Sequence, residues 1–146
     1  SLTLIEPPLF HFLPDAAELR RFQLIGDEVL ADGLDSDPAR LREFLRIAGS
    51  PVPVDGPLPE HVVHAVRRAH GGRSPGEARP RLDVLREAGI PALVASGDHA
   101  SFLERAANAL ATELHAQRLI APGAGHFVAA APGFSESFER FLASVD

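Results

Sequence analysis

The sequence predicts an α/β protein with a parallel sheet covered by helices, and two observations carry that prediction. The final third alternates helix, strand, helix, strand, helix, the order that generates parallel strands joined by helical crossovers. The strand candidates, Leu2–Ile5, Ile90–Ser96 and 117–121, are short apolar runs, and the middle one is apolar enough to be buried on both faces. Between the first strand and this alternating part lies a long section that reads as helices.

The opening strand stops at Glu6-Pro7-Pro8, because proline has no N–H to donate to a ladder. Asp15 and Glu18 then have the spacing of a capping box, and Leu19, Phe22, Ile25 and Val29 form one apolar stripe. Asp37-Pro38 starts a second helix with Leu41, Phe44, Leu45 and Ala48 inward. Residues 49–58 carry Gly49, Pro51, Pro53, Gly56 and Pro57 and no periodicity, so they are a connector. A third helix from Pro59 to His70 places Val62, Val66 and Ala69 on one face, and Gly71–Gly76 breaks it. Residues 80–88 form a helix that Gly89 ends. Ser101 and Glu104 make a capping box for a helix with Leu103, Ala107, Leu110 and Leu114 aligned. Phe134, Phe138, Phe141 and Val145 define a terminal amphipathic helix.

Composition excludes several kinds of chemistry. With 146 residues, 45% of them hydrophobic, the chain is one domain's worth of globular material. All 14 Lys-plus-Arg positions are arginine, so neither a Schiff-base lysine nor a phosphate-gripping P-loop lysine is available. Cysteine is absent, which removes disulfides, thiolate nucleophiles and cysteine zinc sites. A net charge of −6 argues against nucleic acid or an anionic membrane as partner. No apolar run approaches membrane-spanning length and no leader-like segment occurs, which points to a cytoplasmic protein. His61 and His64 lie on one helix, but no carboxylate or cysteine set converges on them. An ion pair between Glu60 and His64, four residues apart, accounts for them, and no metal is expected.

The most pointed motif lies near the end. The strand before Pro122-Gly123-Ala124-Gly125-His126 runs into a loop whose two glycines permit a sharp turn that delivers one histidine. Histidine titrates nearest neutrality of all side chains, so His126 is a candidate general base. In parallel sheets active groups sit just beyond the carboxyl ends of strands, a position shared by Glu6, Asp98, His99 and His126.

Taken together, Leu4-Ile5-Glu6-Pro7-Pro8, Ile90-Pro91-Ala92-Leu93-Val94-Ala95-Ser96-Gly97-Asp98-His99, the His126 loop and the terminal helix resemble the carboxyl-terminal half of an α/β-hydrolase-fold enzyme. The resemblance covers nearly the whole chain and is strongest over residues 80–146. It implies a partial parallel sheet with an inserted helical cap: residues 1–8 a core strand, 9–78 the cap, and 79–146 the carboxyl-terminal part of the core. It implies that His126 is the base of a nucleophile–histidine–acid triad. The Gly-x-Ser-x-Gly turn that carries the family's nucleophile does not occur here. The nucleophile is therefore expected outside these residues, in an amino-terminal half supplied as a second chain or a further segment. The family's usual acid falls near Ala100, which cannot serve. Asp98 is one substitute. Glu6 is the other and is slightly favoured, at a strand end that hydrolases resembling the haloalkane dehalogenases use for their acid. His99, Phe10 and Phe127 are candidate substrate-pocket residues. The implied reaction is hydrolysis of a small apolar ester or related substrate without a cofactor. The alternative is a non-catalytic binding or regulatory module on the same scaffold.

Overall fold

The computed structural model describes residues 1–9, 17–73 and 75–145. Within them β1 (Leu2–Ile5), β2 (Ala92–Ser96) and β3 (Gln117–Ile120) form one parallel sheet in the order β1-β2-β3. Leu2 lies opposite Ala92 and Ile5 opposite Ala95, while Leu93 lies opposite Gln117 and Ser96 opposite Ile120. The three carboxyl ends are therefore level. The ladder continues one residue further on both sides, through Glu6 N–H to Ala95 O (3.0 Å) and Ala121 N–H to Ser96 O (2.8 Å). Strand β2 begins at Ala92 and not at Ile90, since Pro91 supplies only a carbonyl, which accepts from Leu2 N–H at 2.8 Å.

Among the described residues six α-helices accompany this sheet: α1 (Ala17–Asp32), α2 (Pro38–Ile47), α3 (Glu60–Ala69), α4 (Leu82–Glu87), α5 (Ser101–Glu113) and α6 (Phe134–Ala143). Strand β2 is buried along its whole length, because helices cover the sheet on both sides. On one face Ala92 and Val94 pack with Leu82, Ala107, Leu110, Ala111 and Leu114 of α4 and α5. On the other, Ala95 packs with Val128 and Phe134. Helices α1 to α3 bury a core of their own, with Ile25, Val29, Leu41, Leu45, Val62 and Val66. Each such side chain is worth about 2 kcal/mol when fully buried. A fourth cluster, Leu19, Phe22 and Phe102, ties this helical section to α5. Phe22 stacks on Phe44 with ring centroids 5.2 Å apart.

The stripe read from α1 is buried as expected, and Asp37 caps α2 by accepting from Ala39 N–H and Arg40 N–H. The Glu60–His64 pair forms at 3.6 Å on the surface of α3. Ala69 is exposed and borders a cavity, so the buried face of α3 stops at Val66. The capping box at α5 does not form. Ala100 occupies the cap position with no side-chain bond, Ser101 is already helical, and Glu104 turns towards the sheet. The start suggested by Asp15 lies outside the described residues. Among the described residues no helix is long and apolar enough to cross a membrane.

Candidate active site

The level strand ends bring three loops together at one edge of the sheet. Glu6 follows β1 directly and has φ +47°, and Asp98 in the loop after β2 has φ +55°, both left-handed conformations unusual for residues other than glycine. Backbone of this kind persists only where its surroundings impose it, and it clusters at functional sites. Here Pro7 and Pro8 restrict the chain behind Glu6, and Gly97 N–H donates to Glu6 Oε1 at 2.6 Å.

The Glu6 side chain is 4% exposed, and its second oxygen lies between two imidazoles. His126 Nδ1 is 4.0 Å from Oε2 and His99 Nε2 is 3.8 Å from it. Burial pushes the Glu6 carboxyl up, but the contact with His126, the Gly97 N–H and the neighbouring charges of His99 and His126 outweigh it, so its pKa is lowered below the ordinary 4.5. A carboxylate depressed in the folded state binds protons more readily once unfolded. Its stabilisation is therefore complete above about pH 4.5 and is lost as the pH falls through the lower folded value. Urea denaturation of the parent should show stability falling on acidification through that window. The Glu6→Gln variant should show a shallower fall, and parallel curves would contradict the assignment.

His126 sits on the loop after β3, with Gly123 at φ +78° and Gly125 at φ +57°. Its side chain is 56% exposed. Because Nδ1 faces Glu6, Nε2 is left free to exchange a proton with a bound molecule. The backbone N–H of His126 donates to Gly49 O at 3.3 Å, so the connector after α2 is bonded directly to this loop.

Beside these groups lies a cavity of about 470 Å³, within the range of small-molecule sites. Phe22, Val29, Leu30, Phe44, Leu45 and Leu103 supply its apolar lining. Glu6, His126, Ser50, Ser96, Gln23 and Asp27 are its polar members. Glu6 and His126 are thus brought together at this cavity. Asp98 is not: its side chain is exposed and makes no ion pair or side-chain hydrogen bond among the described residues. His99 is buried against Glu6 and does not line the cavity. Phe127 is 45% exposed over a separate shallow groove with Pro122 and Pro132, its ring edge-on to His126 at 6.4 Å. Phe10 lies outside the described residues.

Sequence reasoning missed a second buried polar group beside the site. Ser96 Oγ donates to Glu104 Oε2 at 2.7 Å, Arg118 Nη2 reaches the same oxygen at 2.7 Å, and Arg118 also donates to Ser96 Oγ. Glu104 Oε1 accepts from Asp98 N–H at 3.0 Å. The available signal was the lone arginine in an apolar strand, which needs an anionic partner.

No protein-family model, curated protein or solved structure matches this chain. The fold and site define a mixed α/β protein with a small parallel sheet, in which a buried carboxylate faces an exposed imidazole at a largely apolar cavity.

Proposed function

We propose that the chain is the acid-and-base portion of an α/β-hydrolase-type enzyme that hydrolyses a small apolar ester or related substrate. The observation that carries this reading is the pair at the cavity: an anchored, buried Glu6 carboxylate facing Nδ1 of an exposed His126. In the proposed mechanism His126 Nε2 takes the proton of a nucleophile and returns it to the leaving group, while Glu6 holds the tautomer and stabilises the imidazolium. The proposed mechanism requires the 4.0 Å separation to tighten as the imidazolium forms, a shortening common to catalytic pairs of this kind. Helices α1 to α3 play the part of a cap, and their apolar wall suits an apolar acyl or alkyl group.

The nucleophile is assigned outside these residues. Two serines border the cavity, Ser50 and Ser96. The Ser96 hydroxyl is engaged by Glu104 and Arg118. Ser50 follows the carbonyl end of α2, where the helix dipole disfavours a developing oxyanion. Native material treated with a fluorophosphonate probe should carry the label on a serine beyond residues 1–146. In that assembly His126→Ala should lower hydrolysis of an activated apolar ester by about three orders of magnitude or more. Label on Ser50 would overturn the placement of the nucleophile, and equal turnover in parent and variant would overturn the mechanism.

The engaged Ser96 hydroxyl also favours a second reading, a non-catalytic module that binds an apolar ligand in the cavity. A binder keeps its affinity for an apolar fluorescent probe in the His126→Ala variant and shows no turnover in either form.

A further inference from the structure

His99 is the one described residue with buried side-chain polar atoms that lack a hydrogen-bond partner: neither Nδ1 nor Nε2 has one. Leaving such a group unpaired carries a desolvation cost, so its presence needs a physical reason. The ring is 11% exposed. A Cβ placed on Gly49 would fall 2.7 Å from its Cδ2, so the connector after α2 runs close beside it. The next ring atom, Nε2, lies 3.8 Å from Glu6 Oε2.

We propose that His99 is the positioning residue of the Glu6 carboxylate, holding Oε2 in the place from which it serves His126. The two oxygens of Glu6 have separate anchors. Oε1 is fixed by Gly97 N–H, and Oε2 is shared between a buried imidazole and an exposed one. Of the two, His99 is buried beside both the connector and Glu6, whereas His126 is exposed on a glycine loop at the cavity. The buried ring sets the position of the oxygen, and the exposed ring meets it there. The cap connector thereby bears on the acid through His99 and on the base through the Gly49 O bond to His126 N–H. The catalytic meaning of this arrangement rests on the hydrolase reading above; the positioning itself does not.

The other charged groups nearby are occupied or remote. Glu104 and Arg118 pair with each other behind Ser96, Asp98 points to solvent, and Asp27 of α1 borders the cavity from the helical section. Among the described residues His99 and His126 are the groups within ion-pair distance of Glu6.

The test is a carbon-13 NMR titration of the Glu6 side-chain carboxyl in the parent chain, His99→Leu, His99→Gln and His126→Ala. Removing His99 should raise the Glu6 midpoint towards the ordinary carboxylate value. The leucine variant should raise it more than the glutamine variant, whose amide keeps a polar group beside Oε2. A His99 that only fills space leaves the Glu6 midpoint at the parent's value in both variants, and that result overturns the proposal. If His99→Leu does not fold, His99→Gln alone gives the reading by the same criterion. No enzymatic activity is needed, so the outcomes separate. A raised midpoint in a chain whose His126→Ala variant retains full turnover sinks the hydrolase reading and leaves the positioning intact.

Discussion

Replacing Gly97 by alanine should destabilise the chain by about 3 kcal/mol or more and dismantle the site with it. The added Cβ would lie 1.9 Å from Gly125 O and within 2.9 Å of Gly125 C and N. These are backbone atoms and cannot rotate aside. Gly125 has no room to retreat, because a Cβ there would stand 2.3 Å from Gly49 O. Three backbone segments, at 97, 125 and 49, are thus stacked where no side chain fits. A shift at 125 moves its neighbour His126, and a shift at 97 breaks the N–H bond that anchors Glu6. Gly123→Ala is the matched control. It lies in the loop that carries Gly125, at φ +78°, but in open space, so it should cost only about 1 kcal/mol of backbone strain. Urea denaturation of both variants checks this, and similar losses in the two would contradict the stack.

Arg118→Ala should cost about 3 kcal/mol, the scale of breaking a buried ion pair by removing one partner. The Arg118 side chain is 17% exposed and that of Glu104 14%. The guanidinium donates to Glu104, Ser96, Asn108 Oδ1 (2.9 Å) and the carbonyls of Val94 (3.2 Å) and Leu119 (2.7 Å). Truncation strands a carboxylate in a weakly hydrated pocket and leaves two strand carbonyls short of a donor. Replacing both charges with apolar groups of similar volume, Glu104→Leu with Arg118→Met, removes the stranded charge. The double variant should therefore be more stable than Arg118→Ala alone. A double-mutant cycle measures the coupling, and strict additivity would show that the pair contributes nothing.

The order and type of the elements were legible in the sequence because they follow from local periodicity and punctuation. Leu19, Phe22, Ile25 and Val29 recur at helical spacing and are buried together, and Asp37-Pro38 starts α2 with the bonds its residue types predict. Glu6 and His126 could be marked as candidates because strand ends and glycine loops are local features. What local pattern could not supply was the choice among partners. Asp98 is closer in sequence to the expected acid position, yet Glu6 faces the imidazole, since β1 and β2 pair in parallel with their carboxyl ends level. Glu104 has the spacing of a capping residue, but Arg118 and Ser96, brought beside it by the pairing of β2 with β3, draw its carboxylate away from the helix start. His99 reads as a pocket residue from its place after the strand, yet in the assembled chain it is buried beside Gly49 and Glu6. Periodicity specifies which face of an element is apolar; burial, and with it the identity of a charge's partner, is a property of the assembled chain.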